Sequence, residues 1–119
     1  MKEYKIAVIP GDGIGIEVVE SAIKIITQQS KNKNYAFTLK YFDWSSEYYF
    51  KHNVMMPKVG ISELKNFDAI FLGAVGHPDI QDHITLNGLL LPIRRAFDQF
   101  ACVRPSILYP GVESPLKNI

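Results

Sequence analysis

Residues 5–15 read KIAVIPGDGIG, and they carry the strongest indication of the fold. The first five residues form a short apolar run without alternation, which is typical of a strand covered on both faces of a parallel sheet. Pro10 and Gly11 are expected to end that strand. From Asp12 onward, apolar residues recur every three or four positions to about Ile26, which predicts an amphipathic helix. The stretch therefore predicts a strand, a tight turn and a helix.

The rest of the chain continues this alternation of strands and helices. The pattern predicts a polar loop at 28–34, a strand at 35–42, a helix at 58–65, a strand at 67–72 that stops at Gly73, a helix at 86–97 and an extended segment at 100–108. Residues 43–57 hold too many large apolar side chains for a solvent loop, so part of them is expected to pack. This order predicts an α/β fold with a largely parallel sheet in a three-layer α/β/α sandwich.

Length and composition set limits on function. The chain has 119 residues, 47% of them apolar, and a formal net charge of +1. That size suits one domain, and the balanced charge gives no field that would recruit nucleic acid or an anionic membrane. The apolar run before Pro10 is too short for a signal sequence, so a cytoplasmic location is expected. Cys102 is the single cysteine, which excludes an intramolecular disulfide, and it is expected to be a small buried hydrophobe.

The turn at residues 10–15 joins the first strand to the first helix. Its glycines permit a positive φ and a close approach of the backbone to a ligand, and the first amides of a helix attract anions. The Rossmann dinucleotide pattern does not fit, because it requires a third glycine where this chain has Ile16. A tight connection capped by Asp12 is the alternative, and the turn alone favours it.

A second turn of small residues, at 72–78, follows the strand at 67–72. Open α/β sheets bind their ligands at the carboxyl ends of the strands, so two such turns at one edge favour a ligand site. Close packing of a helix explains the second turn equally well. Arg94 and Arg104 are expected to converge on one carboxylate, which suits bidentate hydrogen bonding, whereas Arg95 alone is better explained as a solvated surface residue.

These motifs occur in an order that resembles the isocitrate/isopropylmalate dehydrogenase family along essentially the whole chain. The resemblance is carried by residues 9–15, 72–76 and 100–105. Within that family, residues 43–49, 55–57 and 82–86 are similar to the tartrate/D-malate branch. The resemblance implies that residues 1–119 are the amino-terminal portion of a two-domain subunit of an isopropylmalate-dehydrogenase-like enzyme.

The resemblance also implies an activity, namely the NAD-dependent oxidative decarboxylation of a small 2-hydroxy acid, with Mg²⁺ or Mn²⁺, by a homodimer. The implied cofactor-binding residues are Gly11, Asp12, Gly13, Ile14, Gly15, Gly73, Ala74 and Val75. The implied substrate-binding residues are Arg94 and Arg104, which would hold carboxylates, with Asn87, Leu90 and Leu91, which would tune substrate choice. The family's catalytic lysine and tyrosine, and its metal-binding aspartates, match no position in this chain, so the chain by itself is expected to be inactive.

Two alternatives stay open on the sequence alone. In the first, the chain is part of an isopropylmalate or isocitrate dehydrogenase. In the second, it is a free-standing binding module that keeps one edge of the cleft without catalysis.

One structural expectation concerns Pro92, which lies inside the predicted helix at 86–97. An interior proline costs about 3 kcal/mol or more, so the helix is expected to kink or restart there.

Overall fold

The structure is a computed structural model that describes residues 2–31 and 33–116. Its strands are β1 (Lys2–Gly11), β2 (Tyr35–Tyr41) and β3 (Ala69–Ala74). Its helical elements are α1 (Ile14–Ser30), α2 (Ser46–His52), α3 (Gly60–Leu64), α4 (Asp82–Thr85), a π-helical segment (Leu86–Leu90) and α5 (Leu91–Ala96). The alternation of strands and helices confirms the predicted α/β class.

The three strands form one parallel sheet in the order β2-β1-β3. The register places Val8 opposite Tyr41 of β2, and Gly11 opposite Ala74 of β3. Because the strands run in the same direction, their carboxyl ends meet at one edge of the sheet. That edge carries the segments that follow all three strands, and it is the edge where open α/β sheets place their ligands.

The central strand β1 is covered on both faces, as its continuous apolar run predicts. Ala7, Val8 and Ile9 each have 0% of their surface exposed. On one face Val8 packs with two residues of α1. On the other face Ala7 and Ile9 join a larger apolar cluster, whose other buried members are Phe42, Trp44, Met55, Leu64, Leu89 and Ile93. Helices therefore lie on both faces of the sheet, in agreement with the predicted layers.

The helical region from Asp82 to Ala96 changes its hydrogen bonding along its length. The backbone N–H of Leu91 donates to the carbonyl of Leu86, five residues earlier, which is the π-helical spacing. Pro92 then lies in the first turn of α5, where a missing N–H costs least. This restart confirms the expectation for Pro92.

Several boundaries differ from those predicted. β1 runs through Pro10 to Gly11, and β3 runs through Gly73 to Ala74, because the backbones of the two strands stay paired at their ends. α1 extends to Ser30, beyond the predicted end near Ile26. Residues 46–52 form α2, a helix too short to show a periodic pattern in the sequence.

The predicted extended segment at 100–108 does not form a strand. A strand needs backbone partners, and none of the residues described here pairs with this segment. Its side chains are exposed, at 96% for Phe100 and 85% for Val103, and the expectation that Cys102 is buried is wrong. Ile14, Val18 and Ile25 of α1 are further apolar side chains that lie exposed.

Leu89 and Leu86 provide a test of this packing within one helical segment. Leu89 is fully buried and Leu86 is 39% exposed. We expect Leu89→Ala to lower the free energy of unfolding by about 2–5 kcal/mol, because it removes buried methyl groups and leaves a cavity. The control Leu86→Ala should cost less than about 1 kcal/mol. Urea denaturation measures both values, and equal losses would contradict the arrangement.

Candidate functional site at the carboxyl edge of the sheet

The two glycine-containing turns meet at the carboxyl edge of the sheet. The backbone N–H of Asp12 donates to the carbonyl of Ala74 at 2.7 Å, which extends the pairing of β1 and β3 into the first turn. The turn then enters α1, with Gly13 as the residue preceding the helix. The first turn thus lies directly against the end of β3, as the sequence predicted for two turns at one edge.

Three of the glycines are required by this close contact. A Cβ at Gly11 would overlap the carbonyl of Ala74, and a Cβ at Gly73 would overlap the carbonyl of Pro10. At Gly15 a Cβ would lie 2.5 Å from both the amide nitrogen of Ala74 and the carbonyl oxygen of Pro10. These glycines let two backbones approach each other, which is the packing role left open by the sequence.

Other residues of the two turns face outward. Gly13 has no atom within 4 Å of the position of a Cβ, and Ile14 is 66% exposed. Ala74 is exposed and Val75 is half-buried. The amides expected to attract an anion are partly used within the turn, since those of Gly15 and Ile16 donate to the carbonyls of Asp12 and Gly13 at 2.9 and 3.3 Å. The open surface of this edge is therefore mainly backbone and apolar side chain.

Asp12 does not cap α1, contrary to the alternative favoured by the turn alone. No side chain caps that helix, and the Asp12 carboxylate binds two segments distant in sequence. It accepts hydrogen bonds from the Ser45 hydroxyl at 2.7 Å, from the Ser46 hydroxyl at 2.7 Å and from the Ser46 amide at 2.9 Å. It also accepts one from the Gly76 amide at 2.8 Å. The carboxylate joins the turn after β1 to the start of α2 and to the turn after β3.

Burial and hydrogen bonding act on the Asp12 carboxyl in opposite directions. Only 6% of the residue is exposed, and burial by itself raises the pKa of the carboxyl. The hydrogen bonds from Gly76, Ser46 and Ser45 favour the charged form and outweigh burial, so that the pKa lies below its ordinary value. The group is therefore ionised at neutral pH despite its position in the interior.

Ser45 and Ser46 were missed by the sequence analysis. Both are buried, with 1% exposure, and they lie between the end of β2 and the start of α2. These hydroxyls follow a strand that ends at the same edge as the glycine turns. That position could have indicated from the sequence that they lie near the site. Without the parallel pairing of β1 and β2, however, nothing in the sequence brings Ser45 near Asp12.

The two arginines expected to bind carboxylates are not brought together. Arg94 lies in the last turn of α5, and Arg104 lies in the irregular segment after it; both are exposed. Arg94 borders an open cavity of about 540 Å³ that residues 98–103 complete. None of the described residues pairs with residues 98–116 as a strand, and the convergence of Arg94 and Arg104 stays a prediction.

The remaining predicted residues lie on the π-helical segment and at its junction with α5. Asn87 is exposed, and its side-chain amide donates to the carbonyl of His83 at 2.8 Å. Leu90 and Leu91 are half-buried. This hydrogen bond within the helix orients the Asn87 side chain, and the amide oxygen points away from the bond.

Two kinds of feature are absent from residues 2–31 and 33–116. None of the helices there combines the length and apolar character needed to cross a membrane. No group of three or more histidine, cysteine, aspartate or glutamate side chains in that part of the chain is arranged to hold a metal ion. The described residues therefore do not by themselves fit a Mg²⁺ or Mn²⁺ site, whereas the open turns fit a cofactor bound through backbone and apolar contacts.

Comparison with known proteins agrees with this fold and shows the family. A model of the isocitrate/isopropylmalate dehydrogenase family matches residues 5–119, and the chain belongs to that family. It is similar in fold to a β-decarboxylating dehydrogenase of Thermococcus kodakarensis, with a TM-score of 0.58 and 24% identity. That match covers 80% of this chain and 27% of the other.

Curated relatives are closer in sequence. The chain is 52% identical to a probable tartrate dehydrogenase/decarboxylase of Agrobacterium vitis over 99% of its length. It is 47% identical to the D-malate dehydrogenase [decarboxylating] of Escherichia coli over 98% of its length, and 44% identical to the tartrate dehydrogenase/decarboxylase of Pseudomonas putida over 97%. The chain spans about a third of the length of these relatives, at 33%, 33% and 32%.

The low pKa of Asp12 predicts an acid-dependent stability. A carboxyl whose pKa is lower in the folded state stabilises that state above the unfolded pKa, near 3.8. This contribution is lost as pH falls below that value through the folded pKa. Urea denaturation between about pH 2 and 6 should show a loss of stability on the acid side that is smaller in Asp12→Asn. Identical pH profiles for both proteins would contradict the assignment.

Gly11 and Gly13 offer a matched pair for the close contact. Both have positive φ, 78° and 51°, so alanine is strained at either position. Only at Gly11 does the added Cβ also overlap a backbone carbonyl. We expect Gly13→Ala to cost about 1 kcal/mol and Gly11→Ala several-fold more, measured by urea denaturation. A larger cost at Gly13 would show that the contact between the strand ends is wrong.

Proposed function

We propose that this chain is the amino-terminal part of an NAD-dependent, decarboxylating dehydrogenase of 2-hydroxy acids, of the tartrate or D-malate type. The observation that carries the proposal is the contact of two glycine-containing turns at the carboxyl edge of a parallel sheet. The names of the curated relatives, which are 52%, 47% and 44% identical to this chain over the matched third of their own length, support the substrate class. Since the chain spans a third of those relatives, the activity belongs to a longer protein that contains it.

The two turns are proposed to line the cofactor cleft in different ways. Gly13 and Ile14 lie open to solvent, as does Ala74, and they would contact NAD directly. Gly11, Gly15 and Gly73 would act by letting the turns approach each other. Bound NAD would supply the acceptor for the hydride that leaves the hydroxyl-bearing carbon of the substrate.

Substrate recognition is assigned to the helical region and the segment after it. Tartrate and malate carry two carboxylates, and guanidinium groups bind carboxylates in a bidentate manner. Arg94 and Arg104 are proposed to bind them once residues 98–116 acquire a partner that orders Arg104. Asn87, Leu90 and Leu91 would border the middle of the substrate. The outward amide oxygen of Asn87 suits a hydroxyl group on the neighbouring carbon, as in tartrate.

The metal and the proton-transfer groups are assigned outside the described residues. A Mg²⁺ or Mn²⁺ ion would stabilise the enolate formed when CO₂ leaves. No acidic cluster in residues 2–31 and 33–116 suits that ion. We further propose that the complete protein is a cytoplasmic homo-oligomer, in which the exposed apolar residues of α1 and of residues 100–116 are covered.

A fusion protein tests this function. It would join this chain to the portion of the Escherichia coli D-malate dehydrogenase that follows the matching third. We expect the fusion to reduce NAD with D-malate or tartrate in the presence of Mg²⁺ or Mn²⁺, and the 119-residue chain alone to reduce none. A fusion that folds and turns over only isopropylmalate or isocitrate would overturn the substrate class, and turnover by the chain alone would refute the division of the site.

Arg94 and Arg95 supply the matched variants in that fusion. Both are exposed arginines in the last turn of α5, and only Arg94 is assigned to the substrate. Arg94→Gln should lower kcat/KM for the acid about tenfold to a hundredfold, the usual effect of losing a hydrogen bond to a charged group. Arg95→Gln should change it by less than about threefold. Similar effects of the two substitutions would remove Arg94 from the site.

A further inference from the structure

We propose that Asp12 is a positioning residue: its carboxylate fixes the two turns and the start of α2 relative to one another without contacting a ligand. This inference rests on the proposed function where it concerns NAD. The residue lies within the turn assigned to the cofactor, and a direct contact was the sequence-based expectation for it. Its hydrogen bonds point instead to an indirect role.

The Asp12 carboxylate has little acceptor capacity and little exposed surface left for a ligand. One oxygen, Oδ2, accepts from the hydroxyls of Ser45 and Ser46 and from the Gly76 amide, at 2.7, 2.7 and 2.8 Å. The other, Oδ1, accepts from the Ser46 amide at 2.9 Å. A carboxylate offers about four lone-pair sites, two on each oxygen, so Oδ2 is fully used and Oδ1 keeps one site. With 6% of the residue exposed, a ligand also has little access to the group.

The Asp12 carboxylate holds Ser45 in a backbone conformation that residues other than glycine rarely adopt. Ser45 has a φ of 147° and a ψ of −141°, a region populated almost only by glycine. Such a backbone is strained and persists only where the surroundings impose it. The hydroxyl of Ser45 and both donors of Ser46 converge on Asp12, and these bonds impose it. The strained residue lies immediately before α2.

Only an ionised carboxylate satisfies this set of donors. The two serine hydroxyls can rotate to donate or to accept, but the amides of Ser46 and Gly76 only donate, and they bind different oxygens. The side-chain amide of an asparagine has one oxygen and one NH₂ group. In either orientation its NH₂ group would face a backbone N–H, so asparagine breaks one link between the segments although its shape is nearly the same.

The hydrogen bonds of Asp12 affect the width of the proposed cofactor cleft. Gly76 lies two residues after the exposed Ala74, whereas Asp12 precedes Gly13 and Ile14, which are also exposed. The bond between Asp12 and Gly76 therefore sets the distance between the two surfaces proposed to contact NAD. Loosening it should weaken NAD binding more than it changes the binding of the acid, which is assigned to α5 and the residues around it.

Amide hydrogen exchange in the 119-residue chain tests the positioning role independently of activity. In Asp12→Asn at least one of the amides of Ser46 and Gly76 should exchange at least about tenfold faster, while those of Ala7 and Val8 in β1 change less than about twofold. Glu17→Gln is the control, since it removes the charge of an exposed carboxylate in the first turn of α1. Unchanged exchange at Ser46 and Gly76, or an equal increase throughout β1, would overturn the proposal.

If Asp12→Asn does not fold, Ser46→Ala replaces it in the hydrogen-exchange measurements and in the kinetics of the fusion protein. This variant loses one hydroxyl donor and keeps both backbone donors. It should still accelerate exchange at Gly76, which lies 30 residues away in the sequence, by about threefold or more. No change at Gly76 would show that the carboxylate does not couple the two segments.

Kinetics of the fusion protein test the link to the cofactor. Asp12→Asn should raise the KM for NAD about tenfold or more, and change kcat and the KM for D-malate by less than about threefold. A merely structural role would instead lower the active fraction, and with it kcat, at an unchanged KM for NAD. That result would overturn the positioning role. An unmodified fusion that folds but reduces no NAD would refute the proposed function, and the exchange measurements would then decide the role of Asp12.

Discussion

The close approach of two backbones, at the ends of β1 and β3, is the constraint on which the rest of the structure depends. Gly11 and Gly73 each leave room for a hydrogen atom where any other residue would place a carbon atom against a carbonyl. That contact sets the register of the two strands and brings the segments after them together. Asp12, immediately after the contact, is thereby placed within reach of Gly76.

Much of this could be predicted because it depends on local pattern. The uninterrupted apolar run of β1 indicates burial on both faces, and Ala7, Val8 and Ile9 are fully buried. The position of Pro92 predicts a restart of the helix because the missing N–H acts within one helical turn. In each case the physical cause lies within a few residues of the feature that it explains.

The features that could not be predicted depend on contacts distant in sequence. The hydrogen bond between Ser45 and Asp12 spans 33 residues and exists only because β2 pairs with β1 in one register. The segment at 100–108 has the composition of a strand, but the described residues offer it no pairing partner. The composition of a segment determines whether it is able to form a strand. The presence of a strand to pair with determines whether it does so.

The chemistry of Asp12 also determines what this part of the protein is able to contribute. A buried carboxylate is often the first candidate for a general base or a metal ligand, since both functions need an ionised or proton-accepting group in a restricted site. Here four hydrogen bonds hold the pKa low and burial leaves little access to the carboxylate, so the group is a poor base and is poorly placed to bind a cation. A carboxylate in this state serves to hold backbone segments together. Under the proposed function, the described residues would bind and orient a cofactor and an acid, and the side chains for proton transfer and metal binding would come from another part of the protein.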